Sequence, residues 1–200
     1  MLTTVVFDLG GVYFTSGTET ALRRLSLKYH IPLKKVRDAY LTRLRKKYPT
    51  TEKELYKIWN SLKKDFGVGE TPEELDRVDL DGYVPQEKTI SVLRKLRSDG
   101  VRVLYLSDNT IDRVRFLNGK YGFLDDFDGG VFSFDIRSCK PDVRMYQTLL
   151  KKFKLNSCEV VFIDDRKENL LPARKLRMRV IQFKNQRQLR RDLRTMGFAL

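Results

Sequence analysis

The chain has 200 residues, 41% of them hydrophobic and 11% aromatic, with a formal net charge of +14. That length suits one doubly wound domain or a core with a small insert, and the apolar share excludes global disorder. No apolar run approaches the roughly 18 residues that a membrane span needs. The start, Met1 to Asp8, has no basic stretch and its apolar run ends on an acid, so no signal peptide is expected. Cys139 and Cys158 match no zinc or redox spacing, and two reduced thiols suit a cytoplasmic protein.

The charge is uneven: residues 166–200 hold 11 Lys and Arg against two Asp and Glu. Such a surplus draws phosphorylated substrates or polyanions through its long-range field. No aromatic residues interleave with it at stacking spacing and no nucleic-acid motif is present, so a solubilising surface is the expected reading.

In chain order, residues 3–7 form a buried β-branched and aromatic run, read as a first strand. From 18 to 81 no strand-like run occurs. Helices are expected at 19–29, 33–47 and 52–66. The last carries Leu55, Ile58, Trp59, Leu62 and Phe66 on one face. Thr51 with Glu54, and Thr71 with Glu74 behind Pro72, read as capping boxes, the second opening a shorter helix. A helix at 85–98 leads to a second strand at 101–106. A third strand is expected at 131–134, a helix at 141–153 with Pro141 at its first position, and a fourth strand at 160–163. A helix at 168–176, a fifth strand at 179–183 and a helix at 186–196 complete the chain. This alternation predicts an α/β fold, a mostly parallel sheet covered on both faces, with the segment 17–82 as an inserted all-helical cap. The core then comprises 1–16 and 83–200.

Ligands of open parallel sheets bind beyond the carboxyl ends of the strands. There the sequence sets Asp8 before Gly10 and Gly11, Ser107-Asp108-Asn109, Lys140-Pro141, and Asp164-Asp165 with Asn169 one turn on. The set suits phosphoryl transfer. Asp8 is a candidate nucleophile that would form an aspartyl-phosphate. Asp8, Asp164 and Asp165 offer hard oxygen ligands for Mg²⁺, and three converging carboxylates demand a cation. Lys140 supplies a point charge, and Ser107 with the backbone N–H groups beside it can take phosphate oxygens.

These stretches resemble the four motifs of the haloacid dehalogenase superfamily, and the resemblance covers the whole chain. Phe7-Asp8-Leu9-Gly10-Gly11-Val12 is similar to the first motif, Leu106 to Asn109 to the second, Cys139 to Asp142 to the third, and Phe162 to Asn169 to the fourth. The helical insert resembles the C1-type cap of subfamily I, and the first motif resembles that of sugar-phosphate phosphatases with Gly two places after the nucleophile. The resemblance implies a Rossmann-like core, Mg²⁺ dependence, and ligation of Mg²⁺ by Asp8, the Gly10 carbonyl and Asp164, Asp165 or both. It implies catalysis by Asp8 with Lys140, and phosphate binding by Ser107, Asp108, Asn109 and Lys140.

One departure bears on mechanism. Most phosphatases of the family have a second Asp where this chain has Gly10, and that Asp is the general acid and base. Three outcomes are open. The first is a small phosphorylated metabolite with a good leaving group as substrate; the second is another residue, with Tyr13 and Asp108 nearest in sequence, as the proton donor; the third is a catalytically weak or inactive binding protein that uses its basic C-terminal region for an anionic partner. Dehalogenation fits less well, since the family's dehalogenases carry Tyr at that position and have no need of the Asp164-Asp165 pair.

Overall fold

The computed structural model describes residues 2–46 and 48–200. Five parallel strands form one sheet in the order β3-β2-β1-β4-β5. They are β1 Thr4–Phe7, β2 Arg102–Ser107, β3 Gly130–Phe132, β4 Val160–Asp164 and β5 Arg179–Gln182. The helices are α1 Gly17–Lys28, α2 Leu33–Lys46, α3 Glu52–Phe66, α4 Pro72–Asp81, α5 Glu87–Ser98, α6 Ile111–Tyr121, α7 Ser133–Ile136, α8 Val143–Lys152, α9 Lys167–Lys175 and α10 Gln186–Thr195. This is a Rossmann-like sheet with helices on both faces. Among the described residues no helix is long and apolar enough to cross a membrane.

The period-two alternation of the strands builds two core layers. Val5, Phe7, Val103, Val161, Ile163 and Ile181 face one way and pack with side chains of α5, α6 and α10, among them Leu93, Leu117 and Leu189. Val6, Leu104, Leu106, Val131, Val160 and Phe162 face the other way, against Met145, Tyr146, Leu149, Leu170 and Ala173 of α8 and α9. The central strands are buried on both sides, which is why they read as unbroken apolar runs.

Helices α1 to α4 have a third core of their own, built on Leu22, Leu25, Val36, Tyr40, Leu55, Trp59 and Leu62. The α3 stripe buries Trp59 completely, with its ring 5.1 Å from that of Tyr40. The chain leaves β1 and returns to α5 along two adjacent segments. They are tied by Thr15 N–H to Val84 C=O at 2.9 Å and Gln86 N–H to Tyr13 C=O at 2.8 Å.

Local chemistry moved several boundaries. Asp142 caps α8 by accepting from the Arg144 N–H at 2.9 Å, so Pro141 precedes the cap instead of opening the helix. Strand β3 ends at Phe132, because Asp135 accepts the Phe132 N–H at 3.0 Å and starts α7. Helix α6 went unpredicted: its buried face is only Arg113, Val114 and Leu117, yet it carries a Thr110 cap and a left-handed Gly122 at its end. The Thr71–Glu74 capping box is complete, whereas Glu54 reaches past Thr51 to the Thr50 N–H at 2.8 Å. The predicted end of α2, Lys47, lies outside the described residues.

Candidate active site

The parallel register sets the site. Phe7 pairs with Ile163, so Asp8 and Asp164 leave adjacent strands side by side, with the Asp8 N–H on the Ile163 carbonyl at 2.8 Å. Strand order reverses at β1 and β4, the crevice where ligands of open α/β sheets bind. Asp8 also accepts the Leu9 N–H at 2.7 Å, which fixes the carboxylate at the strand end.

Lys140, on the loop before α8, places its ammonium 2.8 Å from Asp8 Oδ1 and 2.8 Å from Asp164 Oδ2. The lone pairs of Asp164 are heavily committed: its oxygens also accept from Asn169 Nδ2 at 3.0 Å and from the Arg166 N–H at 2.9 Å. Asp165 differs. Its Oδ1 is buried without a hydrogen-bond partner. One oxygen from each of Asp8, Asp164 and Asp165 lies within 4.8 Å of the others. Gly11, with φ +88°, lets the first loop pass close to Asp165; a Cβ there would sit 2.6 Å from Asp165 Oδ2.

Carboxylates crowd the strand-end side of this pocket, with Lys140 and Arg166 as the opposing cations. Burial pushes the Asp8 carboxyl well above its usual range; Lys140 opposes the shift, while Asp164 and Asp165 add to it. Burial, with Asp164 adding, lifts Asp165 to about 6. Burial lifts Asp108 to about 6 against the pull of Lys140. Burial works against the Lys140 ammonium, but Asp164, Asp8 and Asp108 outweigh it and hold its pKa well above normal. A buried lysine among carboxylates thus stays charged, and acids remain in excess.

The predicted phosphate group is divided. Asp108 Oδ1 accepts the Lys140 N–H at 2.9 Å, and both residues line the cavity. Asn109 lines it too, but its N–H is taken by Ser133 Oγ at 3.0 Å, whose hydroxyl donates back to the Asn109 carbonyl. Ser107 is 2% exposed at the end of β2 and lies outside the cavity lining.

The cavity, about 380 Å³, runs from Asp8, Gly10, Lys140 and Asp165 to an apolar wall of Leu22, Tyr40, Leu41 and Leu44 from α1 and α2. Among the residues that the sequence reading missed here are Arg113 and Tyr83. Arg113 on α6 is 7% exposed and binds Asp79 Oδ2 at 2.7 Å and Asp76 Oδ1 at 3.2 Å, both on α4, so one buried guanidinium joins the helical unit to the core. Tyr83, just after α4, receives Arg113 Nη1 on its hydroxyl at 3.4 Å. Burial, opposed by Arg113, pushes the Tyr83 hydroxyl up to about 12, so it is protonated at neutral pH. Neither residue belongs to a strand-end motif; a cap signal at Thr110 would have exposed α6. Tyr13, by contrast, points away: its hydroxyl donates to Asp126 Oδ2 at 2.6 Å among Phe14, Phe123 and Phe127.

Comparisons with known proteins agree with this architecture. A sesquiterpene phosphatase of Aspergillus oryzae (strain ATCC 42149 / RIB 40) is 30% identical over 95 residues, 47% of this chain and 48% of its own length. An uncharacterized protein of Dictyostelium discoideum is 27% identical over 154 residues, 74% of this chain and 65% of its own. The chain therefore spans about half to two thirds of the curated relatives it matches. Among solved structures, a HAD family enzyme of Bacteroides thetaiotaomicron in complex with magnesium and inorganic phosphate superposes with a TM-score of 0.68 at 20% identity, over 92% of this chain and 95% of that one. The L-2-haloacid dehalogenase of Xanthobacter autotrophicus, with chloropropionic acid covalently bound, gives 0.68 at 18% identity, over 100% and 85%. At such identities these structures share the fold. The model of the haloacid dehalogenase-like hydrolases matches residues 2–177, and the chain belongs to that family.

Proposed function

We propose that this hydrolase is a Mg²⁺-dependent phosphatase that passes the phosphoryl group of a small organic phosphate first to Asp8 and then to water. The observation that carries this reading is the unpartnered Oδ1 of Asp165 beside Asp8 and Asp164, an oxygen cluster whose excess negative charge calls for a cation. In this reading Asp8, the Gly10 carbonyl and Asp165 hold the ion, and Asp164, already bonded to Lys140, Asn169 and Arg166, either ligates as well or aligns its neighbours. Hard oxygen donors suit Mg²⁺. When bound, the ion supplies charge neutralisation between the carboxylate and the phosphate.

The protein's own groups do the rest. An Asp8 oxygen attacks phosphorus, the bond to the leaving oxygen breaks, and an aspartyl-phosphate forms; water then releases inorganic phosphate and restores Asp8. The Lys140 ammonium faces both Asp8 and the phosphate oxygens, offsetting charge that builds in transfer. Asp108 and Asn109, which line the cavity, form the phosphate side of the site in this reading, while Ser107 stays buried behind them. The segment 17–82 serves as a C1-type cap that closes over the substrate and excludes water. Leu22, Leu41 and Leu44 favour a substrate with an apolar body, and a sesquiterpene phosphatase among the relatives agrees with that. Gly10 brings no proton donor, so a stable leaving group is favoured wherever no other residue fills that part.

Hydrolysis of p-nitrophenyl phosphate by the purified chain tests the proposal. Turnover that requires Mg²⁺, stops with a chelator and is lost in Asp8→Asn supports it. No turnover of any phosphoester, together with salt-sensitive polyanion binding, would favour a binding protein instead.

A further inference from the structure

We propose, resting on the phosphatase reading above, that Tyr83 is the general acid of this site and fills the role that Gly10 leaves vacant. Its hydroxyl lies 3.7 Å, and its Cε1 3.5 Å, from where a Cβ on residue 10 would sit. Tyr83 therefore occupies the space next to the first motif that a short acidic side chain at position 10 would reach. It lines the same cavity as Asp8 and Lys140.

The side chain is held on every side. It is 7% exposed, packs edge to face on Phe14 with centroids 6.1 Å apart, and lies under the Arg113 guanidinium at 5.3 Å. Gly17 makes room for it: a Cβ there would sit 2.3 Å from Tyr83 Cδ2. Arg113 Nη1 donates to the hydroxyl oxygen, Thr18 is its other hydrogen-bonding neighbour, and the guanidinium places a cation where phenolate charge would develop.

The acids that the first and second motifs suggest have other partners. Tyr13 donates to Asp126 outside the cavity, Asp108 accepts from the Lys140 backbone on the β2 side, and Asp165 belongs to the cation cluster. The step balances. As Asp8 attacks phosphorus, the electron pair of the breaking bond goes to the ester oxygen, which takes the Tyr83 proton and departs as an alcohol. Arg113 holds the phenolate. The water that next attacks the aspartyl-phosphate returns one proton to Tyr83, and the freed phosphate keeps the other.

The experiment compares Tyr83→Phe with the unaltered chain on p-nitrophenyl phosphate, whose leaving group needs no proton, and on butyl phosphate, whose alkoxide does. The expected loss in kcat on butyl phosphate is about 100-fold or more, and roughly ten times the loss on p-nitrophenyl phosphate. That ratio does not depend on the fraction of the variant that is folded. Adding Gly10→Asp to Tyr83→Phe is expected to restore butyl phosphate turnover in part, because residue 10 has ordinary van der Waals room. Equal losses on both esters would overturn the role of Tyr83 and leave the phosphatase reading standing. An unaltered chain that hydrolyses neither ester would overturn both.

Discussion

Gly11 and Asp165 pack as one unit: the left-handed backbone of the glycine leaves room that any side chain would take from the carboxylate. Gly11→Ala would strain the backbone by about 1–2 kcal/mol and push Asp165 aside. The expected result is a roughly tenfold or larger rise in the Mg²⁺ concentration needed for half-maximal turnover, with a modest fall in stability. A Mg²⁺ titration of activity beside a urea melt separates the two effects. An unchanged Mg²⁺ requirement would show that Asp165 takes no part in holding the ion.

Lys140 is the counter-ion of Asp8 and Asp164. Lys140→Met keeps the length of the stem and removes the charge, leaving buried carboxylates facing one another. Loss of one partner from a buried ionic cluster costs about 3–5 kcal/mol. The variant is expected to unfold at lower urea than the unaltered chain without Mg²⁺, and to recover part of the difference when Mg²⁺ is added, since the ion would supply the missing charge. A variant as stable as the original in a chelator would contradict the picture of an over-charged pocket.

The meeting of Asp8, Lys140, Asp164 and Asp165 was legible because parallel strands all end on one rim, and acids at strand ends are easily counted. The sheet itself was legible from apolar runs buried on both faces. Helix starts were misread where a side-chain cap outranked proline, as at Asp142. Arg113 and Tyr83 were invisible for a deeper reason. Their importance comes from docking α4 onto α6, and α6 has too thin an apolar stripe to announce itself. No local pattern says that a tyrosine 73 positions after Gly10 will return to its side.

The Arg113 joint has its own pH signature. Burial lifts Asp79 to about 6 in spite of Arg113, so the folded chain holds this proton more tightly than the unfolded one. Its contribution to stability is therefore present at low pH and declines as pH rises through about 6. Arg113→Met removes the opposing charge and steepens that decline. The variant is expected to lose about 3–5 kcal/mol at pH 8 and less at pH 5, below the Asp79 value of about 6. Urea midpoints at the two pH values decide it; a loss independent of pH would mean that the guanidinium acts through packing alone.

Asp142 shows the opposite sign. Hydrogen bonds from the Arg144 side chain and backbone draw its carboxyl down to about 2. The unfolded chain binds that proton first, so the stabilisation is whole above about pH 4 and is lost as pH falls through about 2. The side chain is 34% exposed, which leaves the ion pair with Arg144 little to contribute beyond the cap itself. Asp142→Ala is thus expected to cost about 1 kcal/mol at pH 7, the usual worth of a helix N-cap. Urea melts from pH 7 down to pH 2 should show the gap between variant and parent closing as the carboxylate takes its proton. A gap of constant size would mean that the α8 N-terminus is held by the loop before it and not by the charge on Asp142.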